Sequence, residues 1–258
     1  MWTAQWGTRT CTVGTFSSLC LYRVSRYASR MVGIRERARA EHILDIKRVA
    51  GEQLTTSGAS GVSLRAIARE LGMVSSAIYR YFPSRDELLT ALIVDAYDSI
   101  GSAAEQADAA VVDRNVRTRW IEVGRSAYRW AAEHHTEYGL IFGTPVPGYA
   151  APQDTIGPAT RFTTVLLRLL IDAQRHGDVN AAPTTIPPDI HRELASMRSR
   201  LEIDIDDQLL AAGLLSWITL FGAISFIRFG HFTTVIEDCD TYFEHVLAHL
   251  GTSVIGFA

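Results

Sequence analysis

The sequence predicts an all-α protein, with a three-helix domain ending in a helix-turn-helix followed by a larger helical bundle. Three observations predict it. Apolar residues recur at spacings of three and four through nearly every segment, no stretch alternates at period two for long enough to make a sheet, and clusters of glycine, serine and proline separate the periodic segments. At 258 residues and 47% hydrophobic, the chain can bury a sizeable core or two small domains. Its net charge of −3 conceals a polarity. Residues 1–83 hold twelve Arg and Lys against five Asp and Glu, and residues 84–258 hold thirteen against 23. A basic amino end suits a polyanion, and an acidic remainder suits self-association or a small molecule. Cys11, Cys20 and Cys239 are few, odd in number and far apart, which argues against a disulfide framework and points to a reducing cytoplasm.

Residues 1–33 read as a flexible basic extension, disordered or loosely helical. Arg9, Arg23, Arg26 and Arg30 stand there without an acidic residue up to position 30, and Met31 opens the recognisable pattern. A transit-type leader and a basic arm laid along DNA are the alternatives. From about Arg35 to Thr56, Ile43, Ile46, Ala50 and Leu54 recur at helical spacing, so a supporting helix is predicted. Arg35, Arg37 and Arg39 would crowd its first turns, against the macrodipole, where a nearby phosphate or simply solvent would accommodate them. Ser57–Gly61 supplies a loop.

Leu64, Ile67, Ala68 and Leu71 fall at i, i+3, i+4 and i+7, giving a short amphipathic helix whose other side carries Arg65 and Arg69. Ser63 stands at its start, where a hydroxyl caps best, and Gly72 follows its end, where a left-handed residue is cheapest. A second short helix has Ile78 and Phe82 on one side and Ser75, Ser76, Tyr79 and Arg80 on the other. Two short helices joined by a tight glycine turn make a helix-turn-helix, with the second helix suited to the DNA major groove.

These residues resemble the amino-terminal domain of the TetR family of one-component transcriptional regulators over roughly residues 40–92. The resemblance rests on Ser63, Ile67–Ala68, Leu71–Gly72–Met73, the run Ile78–Tyr79–Arg80–Tyr81–Phe82, Arg85 and Leu88–Leu89. Met73 replaces the family's usual valine and Arg85 its commoner lysine. The resemblance implies residues 34–83 as the DNA-binding domain and residues 84–258 as a helical ligand-binding and dimerisation domain. It also implies a homodimer on a near-palindromic double-stranded operator, and a small-molecule effector that releases it.

Ser84 and Glu87 have capping-box spacing, so a connecting helix should begin there and run over residues 84–104, burying Leu88, Leu89, Leu92, Ile93 and Ala96. Beyond it, Trp120 to Ala131 and Phe162 to Ala173 fit helical templates, Gly177 ends the latter, and a short helix lies around Glu137–Phe142. His134 and Tyr138, with the following Pro/Gly turn, resemble a feature of several TetR-like regulators. A proline-bearing linker precedes Asp189–Arg200. Residues 209–227 carry no charge, which is long enough for a membrane span. That makes a membrane-associated interaction protein the alternative reading. A bundle helix packed internally on one side and on a second subunit on the other explains the same composition, and by family resemblance the 206–230 and 239–250 helices should form the dimer seam, with no membrane contact.

For DNA contact the candidates are Ser63, Arg65, Ser75, Ser76, Ala77, Tyr79, Arg80, Tyr81 and Arg85. Ser75, Ser76, Ala77 and Tyr79 should meet the groove floor, Arg80 and Arg65 a base edge or phosphate, and Ser63, Tyr81 and Arg85 the backbone. Tyr79 also has a packing reading. Trp120, Tyr128, Tyr138, Phe142, Phe162 and Trp217 are candidates to line a ligand cavity or, alternatively, only a core, with Pro147–Tyr149 as a rim. His245 and His249 sit at i, i+4, yet lack a third ligand and the His-Glu-x-x-His pattern of hydrolytic zinc sites. With no phosphate-cradling loop or nucleophile elbow either, no catalytic residue, metal or cofactor is expected.

Overall fold

The computed structural model describes residues 18–112, 115–180 and 185–258. Ten α-helices follow in order among them: α1 (Ser18–Ser57), α2 (Leu64–Glu70), α3 (Ser75–Ile78), α4 (Arg85–Ala110), α5 (Val116–Glu133), α6 (His135–Phe142), α7 (Ile156–His176), α8 (Pro188–Leu201), α9 (Asp207–Arg228) and α10 (Cys239–His249). A π-helical turn, Leu250–Ile255, follows α10. The described residues form no strand, and one isolated bridge joins Val179 and Phe257.

The chain separates into two compact units, residues 1–46 and 47–258. The first unit's described part is the amino-terminal stretch of α1. Here the structure corrects the sequence reading. The supporting helix begins at Ser18 rather than near Arg35, so the later part of the amino-terminal extension takes the helical form that the sequence left open, and residues 1–17 lie outside the described residues. Arg35, Arg37 and Arg39 therefore stand well inside a helix, and the macrodipole gives no reason for a phosphate beside them.

In the second unit the predicted boundaries trace to local chemistry. Ser63 Oγ accepts from Ala66 N–H at 3.4 Å, Ser84 Oγ from Glu87 N–H at 3.1 Å, and Asp206 Oδ1 from Gln208 N–H at 2.8 Å. Gly177, at φ 72°, closes α7 as the spacing predicts. The connecting helix α4 runs to Ala110, beyond the expected end at 104, where Ala107 still packs against the core and Asp108 is held by Arg119 of α5.

Helix α4 packs against α5, α6 and α7, and α9 against α5, α7, α8 and α10. Their shared core includes Ile100, Trp120, Val123, Leu169, Leu220, Ile224 and Leu247, each at most 2% exposed. Glycines set two close approaches. A Cβ on Gly124 would stand 2.3 Å from Leu247 Cδ1, and one on Gly213 the same distance from Leu170 Cδ1. Ion pairs tie the layers. Arg119, 3% exposed, donates to Asp108 on α4 at 2.6 Å and to Asp172 on α7 at 2.8 Å. Arg161 on α7 bridges Asp98 and Glu105 of α4, and its guanidinium holds the Glu105 carboxyl below the usual carboxylate range.

Candidate nucleic-acid interface

The helix-turn-helix is built around one turn. Gly72 has φ 64°, its N–H donates to Arg69 O at 3.2 Å, and the next N–H, of Met73, donates to Ala68 O at 2.8 Å. This paired closure satisfies two orphan carbonyls of α2 and requires a left-handed residue, which glycine adopts without strain. Val74 then enters extended, and α3 starts at Ser75. The turn thereby fixes where α3 starts relative to α2, while Leu64, Ile67, Ala68, Ile78 and Phe82 are buried.

Arg65, Ser75, Ser76, Tyr79 and Arg80 are exposed, with Ala77 and Tyr81 half-buried. Tyr79 keeps 41% of its surface, so its packing is partial. Helix α3 is a single turn extended by Tyr81 and Phe82, whose N–H groups both donate to Ile78 O. Two expected backbone-positioning residues have work inside the fold. Ser63 caps α2 and gives its own N–H to Gln53 Oε1 at 3.0 Å. Arg85 donates to Ala59 O at 2.6 Å and so anchors the turn between α1 and α2 to the start of α4. The Gln53 bond went unforeseen because its partner lies ten residues away, across that turn. Lys47, the chain's single lysine, pairs with Asp95 of α4 at 2.6 Å.

The six aromatic candidates for a ligand site do not gather in one place. Tyr138, Phe142 and Phe162 meet around Phe221, with Phe142 and Phe162 ring centroids 4.5 Å and 5.1 Å from it. Tyr138 is fully buried, its hydroxyl bonded to Ser225 Oγ at 2.8 Å, and burial pushes its pKa up to about 12. Trp120 lies elsewhere, donating to Leu247 O at 2.9 Å. Tyr128 stacks on Phe243 at 4.1 Å, donates to Asp240 Oδ1 at 2.5 Å, and has the Arg228 guanidinium 4.5 Å over its ring. Burial first, then the Asp240 carboxylate, raise its pKa to about 12. Trp217 lines a groove between α7, α8 and α9. The expected rim residue Tyr149 reaches Thr90 Oγ1 on α4 at 2.9 Å. His245 and His249 stack 6.3 Å apart, and no group of three or more metal-ligating side chains comes together among the described residues.

A glycine-closed helix-turn-helix with a polar outer face, carried on a larger helical bundle, defines a helix-turn-helix transcriptional regulator. The comparisons agree. Residues 46–92 match the model of bacterial regulatory proteins of the tetR family, and residues 120–250 match a tetracyclin repressor-like carboxy-terminal domain. The chain is 37% identical over 206 residues to the HTH-type transcriptional regulators Mb1846 of Mycobacterium bovis and Rv1816 of Mycobacterium tuberculosis, covering 78% of this chain and 86% of each relative. Its fold is similar to that of the regulatory protein SCO4313, with a TM-score of 0.70 at 35% identity over 83% of this chain and 97% of that one. It also shares the fold of the TetR-family regulator PfmR from Thermus thermophilus, with a TM-score of 0.56 at 16% identity over 81% and 98% of the two chains. The chain belongs to the TetR family: it is a DNA-binding transcriptional regulator, not an enzyme.

Proposed function

We propose that the chain represses transcription in the cytoplasm as a homodimer on a near-palindromic operator and leaves it when a small hydrophobic molecule binds. The observation that carries the reading is the outer face of α3, where Ser75, Ser76, Tyr79 and Arg80 are exposed behind a rigid turn. Ser75, Ser76, Ala77 and Tyr79 meet the groove floor, Arg80 and Arg65 reach base edges or phosphate, and Tyr81 adds a backbone contact. Ser63 and Arg85 act by holding the reading helices in place.

One recognition helix makes too few contacts for specific affinity, so two copies read half-sites about 34–36 Å apart or a multiple of it. Helix α9 supports the pairing. It is long and apolar enough to cross a membrane, with a mean hydropathy of 2.0, and it packs against four other helices of the bundle. Leu215, Ile218 and Phe226 nevertheless keep 54%, 64% and 50% of their surface. A second α9, with α10 beside it, covers that stripe.

The test is a gel shift on duplexes from the chain's own and neighbouring promoters, read at several salt concentrations. One duplex should be preferred over random DNA, with affinity falling steeply as salt rises. Arg65→Ala and Tyr79→Ala should weaken that preference while leaving the dimer intact. No preference for any such duplex, or monomers from either substitution, would contradict the reading.

A further inference from the structure

A cavity of about 240 Å³ lies between α7, α8 and α9. Its walls include Leu170, Met197, Leu201, Leu214 and Trp217, with Thr160, Thr163 and Thr164 on the α7 side. Gly213 and Leu170 approach closely in this lining, and a Cβ on residue 213 would stand 2.3 Å from Leu170 Cδ1 and displace that side chain. Helix α8 forms one wall as a weakly buried cover. Leu194 is its one buried residue, while Leu201 lines the cavity and is still 52% exposed. Polar contacts fasten the cover: His191 Nδ1 lies 2.7 Å from Asp207 Oδ2, and Arg198 pairs with Asp207 at 3.1 Å.

The lining chemistry selects the occupant. Among the described residues, no charged side chain lines the cavity. The three threonine hydroxyls already donate to carbonyls, Thr160 to Gly157 O, and Thr163 and Thr164 to Thr160 O, at 2.8–3.0 Å. The threonines thus offer acceptor lone pairs, and the Trp217 indole N–H is the side-chain donor of the lining. A carboxylate entering here would lose its water and meet no cation, with the Trp217 N–H as its side-chain donor, whereas an alcohol would stay uncharged and give its O–H to a threonine oxygen. The volume equals about eight water-sized groups, the scale of a medium-length aliphatic chain.

We propose that this cavity is the effector site and that it takes a neutral aliphatic amphiphile of medium length with a hydroxyl head. The inference rests on the regulator reading above and deepens it. Leu210, Gly213, Leu214 and Trp217 of α9 line the cavity, while Leu215, Ile218 and Phe226 form a stripe on a different face of the same helix. An occupant therefore presses on the helix that pairs the two subunits.

The experiment titrates 1-octanol into the full-length dimer and follows tryptophan fluorescence, with octanoate at pH 8 as the charged comparison. A saturable change is expected, absent in Trp217→Phe, which removes the reporter, and lost with the cavity-filling Leu214→Trp. Octanoate should bind roughly tenfold weaker or less, because its charge is unpaired there. Thr163→Val should narrow the gap between the two probes without altering helicity. No saturation up to the solubility limit, equal binding of octanoate, or undiminished 1-octanol binding to Leu214→Trp by calorimetry would overturn the proposal. Saturation seen only after dilution to monomer would also overturn it, by assigning the groove to a second copy. Operator binding by the unliganded chain, measured in parallel, keeps the two readings separate. Its loss would contradict the regulator reading and leave the octanol result standing, and the reverse pattern would remove only the effector assignment.

Discussion

Replacing Ile218 by glutamate tests the dimer seam where the perturbation is largest and the risk to the fold smallest. Ile218 keeps 64% of its surface, more than Leu215 or Phe226. An exposed position on an intact helix should tolerate the change, so monomer stability should move by no more than about 0.5 kcal/mol. In a two-fold interface each position occurs twice. Burying about two thirds of an isoleucine side chain contributes roughly 1–2 kcal/mol per copy, so the lost transfer term alone is about 2–4 kcal/mol. Two carboxylates brought into one apolar seam add a further unfavourable term. Dimer affinity should fall at least about 30- to 1,000-fold, since each 1.4 kcal/mol is a factor of ten. Sedimentation equilibrium gives the dissociation constant, and circular dichroism gives the melting temperature. Specific DNA binding should fall with the dimer. A variant that keeps the parent's dimer affinity would refute the α9 seam, and one that unfolds would place Ile218 in the subunit's own core.

Three further substitutions follow from the structure. Glu202 closes α8 in a left-handed conformation at φ 54° and is solvent-exposed, so Glu202→Gly should raise stability by about 1 kcal/mol in urea unfolding; a destabilised variant would contradict it. Arg119→Met strips Asp108 and Asp172 of their shared cation and should cost about 3–5 kcal/mol by the same measurement, with a cost below 1 kcal/mol counting against the role given to the pair. The Tyr138 hydroxyl, held up near 12 against about 10 in the unfolded chain, keeps its proton better when folded. Its contribution is therefore complete below pH 10 and lost as pH rises towards 12, so stability should fall over that window and Tyr138→Phe should make the fall shallower.

What the sequence made legible was local. Ser63, Gly72, Ser84 and Gly177 mark helix ends through bonds to atoms two to four residues away, so a reading along the chain finds them. The start of α1 was harder to read, since no acidic residue stands in its first turn and basic residues recur along it, so its amino-terminal half reads as an extension. The Glu202 turn was hidden for a related reason, since nothing in a glutamate announces a left-handed residue. Side-chain partners far along the chain were out of reach altogether. Tyr128 meets Asp240 and Arg228 across more than ninety residues, and Arg119 meets Asp172 across 53. Periodicity places an aromatic on a buried face without saying whether that face meets a core or a cavity. It put Trp120 and Trp217 in one class, although one is locked to Leu247 O and the other faces open space among leucines and threonines. The candidates for DNA contact were easier to place, because most of them are exposed beside a turn whose geometry is written in three residues.

The central claim, that two copies of α3 read one operator together, is tested most directly by footprinting the full-length chain on its preferred promoter duplex. The account predicts two protected half-sites related by a dyad and centred about 34–36 Å apart or a multiple of it, with protection lost when half a helical turn of DNA is inserted between them. A single protected half-site, or protection indifferent to that insertion, would contradict it.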